Sequence, residues 1–220
     1  MKVKGLENLP KDENYILVSN HLGIIDCFAI ATMYKQKIYF MAKKAFFLDR
    51  DGVVIRQISY LHDPELVELE KNVPEAIRKI HEQGMLAVVL TNQSGVARGM
   101  FTEKDVDLCH EKLQTLLATY GEKIDAFYTC CHHPDYTGEC SCRKPAPGLF
   151  LSAAADLDID ISSSFMVGDK FSDLESGRNA GVKQSILLET GYGPKYVQKA
   201  LDAGFDVCSD LLEAVEKYTV

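Results

Sequence analysis

Two acidic residues two positions apart are the first feature of this sequence that suggests chemistry. Asp49 and Asp51 belong to the run Asp49-Arg50-Asp51-Gly52, which directly follows a short apolar stretch. In extended chain, side chains two positions apart project the same way, so both carboxylates can face one site. A lone pair of this kind is equally typical of a surface turn with two solvated aspartates. The residues around the other apolar stretches therefore decide between the two interpretations.

Polar residues with matching chemistry occur near three further apolar stretches. They are Thr91, Asn92, Gln93, Ser94 and Gly95, then Arg143 and Lys144, and finally Gly168, Asp169, Lys170 and Asp173. Hydroxyls, amides and a glycine suit phosphate oxygens, which accept hydrogen bonds from side chains and from backbone N–H groups. A surface ion pair is the alternative interpretation of Lys144 and Asp173. Because these polar residues occur at four apolar stretches in succession, a crevice that combines carboxylates, hydroxyls and cations is favoured over a surface ion pair.

Cysteines and histidines crowd one short segment, residues 128–147, which holds four of the seven cysteines of the chain. A disulfide between two cysteines that are separated by one residue would be strained. Four ligands of the type Cys₃His instead make a closed tetrahedral site, in which zinc has a structural role. Cys131 and His133 leave the choice of ligands open, and unrelated thiols in a loop are the alternative. The spacing favours a zinc set of Cys130, His132, Cys140 and Cys142.

The elements that must position these residues alternate along the chain. Apolar runs predict strands at 45–49, 86–91, 126–130, 164–169 and 185–190, with a further strand and helix near the C-terminus. Amphipathic stretches between them predict helices at 73–82, 102–120, 148–157 and 173–179. This pattern indicates an α/β fold with a parallel sheet covered on both faces. In such a sheet the ligand site lies beyond the carboxyl ends of the strands, which is where the polar residues fall.

Composition limits the class of protein further. The 220 residues include 24 Lys and Arg against 32 Asp and Glu, a formal charge of −8, which argues against a nucleic-acid-binding surface. We find no apolar run of the ~20 residues that a membrane-spanning helix requires, and no signal-peptide core near Met1. We therefore expect a cytoplasmic, monomeric protein that acts on a small molecule.

The four motifs, in their order along residues 44–195, resemble the haloacid dehalogenase (HAD) superfamily of phosphohydrolases. They match D-x-D-G, a strand-terminal threonine, a lysine, and G-D-x-x-x-D. The resemblance implies a Rossmann-like fold, and the absence of a domain-sized insertion between the motifs agrees with a capless form. It implies that Asp49 is the nucleophile, that Asp51 is the general acid and base, and that Thr91 and Lys144 are further catalytic residues. It also implies that Mg²⁺ is bound by Asp49, by the main-chain carbonyl of Asp51 and by Asp169. Asp173 would orient these ligands.

The runs DRDGV, TNQSGVARG, C-x-H-H-P, C-x-C-R-K-P and MVGDK narrow the resemblance. They are similar to D-glycero-D-manno-heptose 1,7-bisphosphate 7-phosphatases and to the related histidinol-phosphate phosphatases. The first resemblance implies hydrolysis of the 7-phosphate in the biosynthesis of nucleotide-activated heptose, and the second implies a step of histidine biosynthesis. The predicted substrate contacts are Arg50, Asn92, Gln93, Ser94, Gly95, Arg98, Arg143 and Lys170, of which Arg98, Arg143 and Lys170 would hold the second phosphate.

Residues 1–43 form a separate predicted unit that precedes a phosphatase domain at 44–220. The run from Asn20 to Asp26 matches N-H-x₄-D and resembles the start of glycerolipid acyltransferases, in which the histidine acts as a general base. The remaining body of that family has no room before Ala45. We therefore expect a non-catalytic strand–helix–strand fragment that packs beside the phosphatase or joins two chains. A bifunctional lipid acyltransferase is the alternative.

Overall fold

The computed structural model describes residues 42–219, which lie in one compact unit that begins at Ala42. The predicted acyltransferase-like fragment falls almost wholly outside the described residues, so its proposed strands and helix are not described. Within residues 42–219 no helix combines the length and the apolar character needed to span a membrane.

The sheet of the described residues has six strands, all of them parallel to their neighbours. They are β1 (Ala45–Leu48), β2 (Leu86–Asn92), β3 (Ala126–Cys130), β4 (Phe165–Gly168), β5 (Gln184–Leu188) and β6 (Asp206–Cys208). Their order is β3-β2-β1-β4-β5-β6, which is the doubly wound arrangement in which the connections reverse direction between β1 and β4. A crevice forms at that reversal, beyond the carboxyl ends of the two strands.

Eight α-helices cover this sheet in the part of the chain that is described. They are α1 (Val73–Glu82), α2 (Ser94–Ala97), α3 (Glu103–Ala118), α4 (Pro134–Thr137), α5 (Gly148–Leu157), α6 (Phe171–Ala180), α7 (Val197–Asp202) and α8 (Leu211–Thr219). Helix α3 begins with a capping box, in which Thr102 and Asp105 exchange hydrogen bonds between side chain and backbone. Helix α1 has Pro74 in its first turn, where a missing N–H costs no hydrogen bond.

Alternate residues of the strands pack into separate cores on the two faces of the sheet. Phe46 and Leu48 of β1 join the larger core beneath α1, α3 and α8, whereas Phe47 joins a second core with Phe150 of α5. The ring centroids of Phe47 and Phe150 are 4.8 Å apart. Because β1 is buried on both faces, all four of its residues are apolar, as is typical of a central parallel strand.

These elements confirm the predicted α/β fold, and helices α1 and α5 have the predicted bounds. Helix α6 begins at Phe171, two residues before the predicted start, because Asp173 lies inside its first turn and accepts a hydrogen bond from the Lys170 N–H. The short helices α2, α4 and α7 were not predicted, because their four to six residues are too few for a helical pattern.

Ser164 joins the beginnings of β1 and β4 through a fully buried hydroxyl. Its Oγ accepts a hydrogen bond from the Ala45 N–H at 3.0 Å and donates one to the Asp160 carbonyl at 2.6 Å. We predict that Ser164→Ala lowers the free energy of unfolding by about 1–3 kcal/mol, because a buried N–H loses its acceptor. Denaturant unfolding measures the change. The exposed Ser162→Ala is the control, and an equal effect of the two variants would contradict the prediction.

Candidate functional site

Asp49 and Asp169 follow β1 and β4, the two strands at which the sheet reverses direction, and both carboxylates are buried. The register places Leu48 beside Val167, so the residues after these strands enter the same crevice. The Asp49 N–H donates to the Val167 carbonyl at 2.9 Å and fixes that strand end. Two of the predicted acidic residues therefore converge through strand pairing alone.

Lys144 lies at the centre of the crevice, where its ammonium is almost fully buried. Its Nζ is 2.8 Å from Asp49 Oδ1, 2.8 Å from Asp173 Oδ1 and 2.8 Å from the Leu90 carbonyl. An ammonium group has three N–H donors, and each of them has an acceptor here. The two carboxylates outweigh the effect of burial and raise the pKa of Lys144, so the side chain stays charged.

Asp173 orients Lys144 from the first turn of α6 and is itself almost fully buried. Its Oδ1 faces Lys144, while its Oδ2 accepts the Lys170 N–H at 3.0 Å. A Cβ on Gly168 would lie 2.2 Å from the Asp173 Cβ, so only glycine allows this close approach. The close approach of Gly168 to Asp173 thus explains why the G-D-x-x-x-D motif has a glycine at its first position.

Asp169 has one carboxylate oxygen in use and one without a hydrogen bond among the described residues. Its Oδ2 accepts the Tyr192 N–H at 2.8 Å, whereas its Oδ1 has Lys170 Nζ at 3.4 Å in a geometry that makes no hydrogen bond. Burial and the nearby charge of Asp49 raise the pKa of Asp169 to about 7. A buried carboxylate oxygen of this kind fits a cation ligand.

Glycines allow the chain to close around Asp169. A Cβ on Gly52 or on Gly191 would come within 2.4 Å of Asp169 Oδ2, and both residues have positive φ angles. The loop after β5 that carries Gly191 and Tyr192 was not predicted to belong to the site. Its signal was the glycine pair in Thr190-Gly191-Tyr192-Gly193, directly after the fifth apolar run.

Asp51 has different surroundings from Asp49, since 13% of its side chain is exposed. Arg50 donates from Nε to Asp51 Oδ2 and from Nη2 to Asp51 Oδ1, both at 3.1 Å. Gln93 Nε2 donates to Asp51 Oδ2 at 2.9 Å and to Thr91 Oγ1 at 2.8 Å. Arg50 was predicted to contact substrate, but its side chain is 1% exposed and holds Asp51 instead.

The other residues of the Thr91–Gly95 run have structural contacts of their own. Asn92 exchanges two hydrogen bonds of 3.1 Å with the backbone of Lys144, one from its Nδ2 and one to its Oδ1. Gly95 packs against the Phe101 ring, since a Cβ there would lie 2.1 Å from a ring carbon. Ser94 begins α2 and is half-buried. Asn92 therefore positions Lys144, a role that the sequence analysis did not predict.

The predicted zinc ligands converge in the structure. Ligand atoms of Cys130, His132, Cys140 and Cys142 all lie within 4.8 Å of one another. Cys130 Sγ is 3.8 Å from Cys140 Sγ, Cys140 Sγ is 3.5 Å from Cys142 Sγ, and Cys130 and Cys142 are closer, at 2.7 Å. Zinc–sulfur bonds of about 2.3 Å would give sulfur–sulfur distances of about 3.8 Å in a tetrahedral site. Two of the three distances are close to this value, and the Cys130–Cys142 distance is shorter.

His132, and not His133, faces the cysteines. His132 Nδ1 is 3.3 Å from Cys142 Sγ, whereas His133 caps α4 and its Nε2 is 2.9 Å from an Arg98 nitrogen. Arg98 also donates to the Tyr136 hydroxyl at 3.1 Å, so it links the end of α2 to α4. Arg143 donates to the His132 carbonyl at 3.2 Å. Arg98 and Arg143, both predicted to bind substrate, thus contact the segment that carries the cluster.

Two family models match the chain: the HAD-hydrolase-like family at residues 141–214 and the Acyltransferase family at residues 1–89. The second match agrees with the predicted N-terminal resemblance and extends through β1 and α1 into β2. Each family model matches less than half of the chain. The family is therefore decided by relatives that match a larger share of the chain.

Curated relatives and solved structures match most of the chain. D-glycero-β-D-manno-heptose-1,7-bisphosphate 7-phosphatase of Haemophilus ducreyi is 42% identical over 156 residues, which are 69% of this chain and 86% of that protein. The enzyme of the same name from Escherichia coli (strain K12) is 39% identical over 186 residues, or 80% and 97%.

The crystal structure of a D,D-heptose 1,7-bisphosphate phosphatase from B. bronchiseptica, complexed with magnesium and phosphate, is 35% identical, with a TM-score of 0.72. It covers 79% of this chain and 97% of its own. Identity at this level over most of the chain, together with the shared fold, shows common descent. The chain therefore belongs to the HAD-like phosphoric monoester hydrolases, in the family of the heptose-1,7-bisphosphate 7-phosphatases.

Proposed function

We propose that this protein hydrolyses the 7-phosphate of D-glycero-D-manno-heptose 1,7-bisphosphate and supplies heptose 1-phosphate for nucleotide-activated heptose. The observation that carries the proposal is the buried crevice of Asp49, Asp169 and Lys144 in a chain about 40% identical to enzymes of that name. The active phosphatase would work in the cytoplasm, where sugar phosphates are made, and as a monomer.

Asp49 is the proposed nucleophile. Burial alone would raise the pKa of Asp49, but the ammonium groups of Lys144 and Lys170 outweigh it and hold the pKa below the usual value. Its Oδ1 is engaged by Lys144, while its Oδ2 has Lys170 Nζ at 3.9 Å. Oδ2 would attack phosphorus and form an aspartyl-phosphate, which divides one difficult hydrolysis into two easier steps.

Asp51 is the proposed general acid and base. Its partly exposed carboxylate would protonate the leaving sugar oxygen and then take a proton from the water that attacks the aspartyl-phosphate. Thr91 lies behind it in the same network, with its hydroxyl bound by Gln93. Lys144 would stabilise the charge of the transferring phosphoryl group while it holds Asp49 in place.

Magnesium is the proposed cofactor of the crevice. Its ligands would be the Asp49 and Asp169 carboxylates and the main-chain carbonyl of Asp51, and the unbonded Asp169 Oδ1 supports this assignment. Asp173 would orient the site through Lys144, because both of its oxygens already have partners. When bound, Mg²⁺ would neutralise phosphate charge beside the carboxylates.

Zinc is the proposed occupant of the Cys₃His cluster, with Cys130, His132, Cys140 and Cys142 as ligands. Such a closed set has no position for water, so the ion would be structural. Lys144 follows Cys142 by two residues, and the ion would therefore fix the loop that delivers the catalytic ammonium. Arg98, Arg143 and Lys170 remain the proposed grip for the second phosphate, and Ser94 and Gly95 remain proposed phosphate contacts.

Residues 1–43 are proposed as a non-catalytic fragment, and self-association through this fragment is the alternative to a monomer. The Acyltransferase family match supports their descent. Acyl transfer by the wild-type protein that is lost in His21→Ala would support the alternative of a bifunctional lipid enzyme.

We predict that Asp49→Asn lowers kcat at least about 1000-fold, because an amide oxygen is a poor nucleophile toward phosphorus. The fold should survive, since Lys144 keeps Asp173 and the Leu90 carbonyl as partners. Phosphate release and the melting temperature measure the two effects. Asp107→Asn, an exposed change of the same type in α3, serves as the control. More than a tenth of the wild-type activity in Asp49→Asn would contradict the mechanism.

We predict one zinc ion per chain by mass spectrometry, and its loss in Cys142→Ser. The variant should melt at least about 5 °C lower, because the metal stabilises the folded loop. Its kcat should also fall several-fold, since Lys144 loses its fixed position. Cys131→Ser is the matched control, because Cys131 is not part of the cluster. Zinc-free protein with unchanged activity and melting temperature would exclude the structural role.

We predict that kcat/KM for heptose 1,7-bisphosphate exceeds that for histidinol phosphate at least tenfold. A second phosphate adds charged hydrogen bonds of about 1.5–3 kcal/mol, and 1.4 kcal/mol corresponds to a factor of ten. A panel that includes both anomers and the heptose 7-monophosphate, assayed by phosphate release, isolates the effect of the 1-phosphate. A preference for histidinol phosphate would replace the proposed function with the alternative.

A further inference from the structure

We propose that Arg50 is a positioning residue that fixes the carboxylate of Asp51, the proposed general acid and base. The inference rests on the proposed phosphatase mechanism and adds a residue to it. Arg50 lies between the two aspartates in sequence, but its side chain is 1% exposed, whereas that of Asp51 is 13% exposed. A guanidinium enclosed in this way is not available to a ligand in the open crevice.

All hydrogen bonds that the Arg50 guanidinium makes to the described residues go to Asp51. Its Nε donates to Asp51 Oδ2 and its Nη2 to Asp51 Oδ1, both at 3.1 Å, while its buried Nη1 has no partner within residues 42–219. The planar fork of an arginine matches a carboxylate and fixes its orientation. Because a buried cation is costly without a counter-charge, the pairing with Asp51 accounts for the presence of Arg50.

Gln93 completes the restraint from β2. Its Nε2 uses one N–H on Asp51 Oδ2 and the other on Thr91 Oγ1, at 2.9 Å and 2.8 Å. Asp51 Oδ2 therefore accepts two hydrogen bonds, which occupy both of its lone pairs. Asp51 Oδ1 accepts one hydrogen bond from the described part of the chain, that of Arg50, and so has a lone pair left for a proton. Oδ1 is thus the oxygen that exchanges the proton during catalysis.

Asp51 takes part in two proton transfers, one in each step at phosphorus. When Asp49 attacks phosphorus, the bond from phosphorus to the sugar oxygen breaks, and Asp51 Oδ1 gives its proton to that oxygen. The resulting Asp51 carboxylate then takes a proton from water as the water attacks phosphorus, the bond to Asp49 breaks, and inorganic phosphate leaves. A leaving group that departs as a stable anion needs no proton in the first step, but the second step still needs Asp51.

Substrates whose leaving groups differ in their need for a proton therefore distinguish a misplaced Asp51 from general damage to the site. In Arg50→Lys and in Gln93→Met, we expect the first phase of p-nitrophenol release from p-nitrophenyl phosphate to change less than threefold. The steady-state rate should fall at least tenfold, since hydrolysis of the aspartyl-phosphate is slowed. With the heptose bisphosphate, the single-turnover rate should itself fall at least tenfold, because a sugar alkoxide must be protonated. The KM for the heptose bisphosphate should change less than twofold, because both steps are slowed, whereas the KM for p-nitrophenyl phosphate should fall together with its kcat. Arg56→Met, an exposed arginine on the following loop, is the control.

Two results would overturn the inference. A raised KM with an unchanged kcat would make Arg50 a substrate contact, and an equal fall of both phases with p-nitrophenyl phosphate would mean that Asp49 is disturbed as well. Wild-type activity on p-nitrophenyl phosphate without activity on the heptose bisphosphate would overturn only the proposed substrate. In that case the comparison of the two phases still tests Arg50.

A thermal measurement tests the pairing without turnover. Asp51→Asn removes the counter-charge of a buried cation, so its melting temperature should fall, and the double variant with Arg50→Met should recover at least half of that loss. Additive losses in the double variant would overturn the pairing as the reason for the buried arginine.

Discussion

One buried ammonium holds the crevice together. Lys144 brings an acceptor from each of three elements to its Nζ: Asp49 after β1, the Leu90 carbonyl of β2, and Asp173 of α6, each at 2.8 Å. A charge in this position is tolerated because every N–H is satisfied and two counter-charges lie beside it. Asn92 binds the backbone of the same lysine. The positions of Asp49, the proposed nucleophile, and of Asp173 therefore depend on one side chain.

The balance of charge around Lys144 supports the proposed metal site beside it. Three buried carboxylates, Asp49, Asp169 and Asp173, face two ammonium groups, those of Lys144 and Lys170. The excess of negative charge falls on Asp169, whose pKa is raised and whose Oδ1 has no hydrogen bond to residues 42–219. A divalent cation would reverse the sign of the cluster, and an anionic phosphate would then be attracted to it. Asp51 lies outside this set of three carboxylates, and its own carboxylate accepts hydrogen bonds from Arg50 and Gln93.

The fold was largely predictable because its signals are local. Short apolar runs that end in polar residues identified β1 to β5, and amphipathic stretches located α1, α3 and α5. The order of the motifs identified the superfamily, and hence the carboxylates that meet at the reversal of the sheet. The Cys₃His spacing selected His132, although its neighbour His133 offered the same chemistry. The short helices were missed, since one turn of helix carries no periodic pattern.

Sequence alone determined which residues carry charge, thiol and hydroxyl groups, and at which strand ends they stand. What it could not determine is which of these groups face one another, because hydrogen-bond partners come from segments far apart in the chain. Arg50 and Asn92 were predicted to contact substrate. In the tertiary structure, Arg50 instead donates to Asp51, and Asn92 binds the backbone of Lys144. The Tyr192 N–H on Asp169 had no sequence signal beyond two glycines. Burial decided these roles, since a buried polar group must find its partner within the protein.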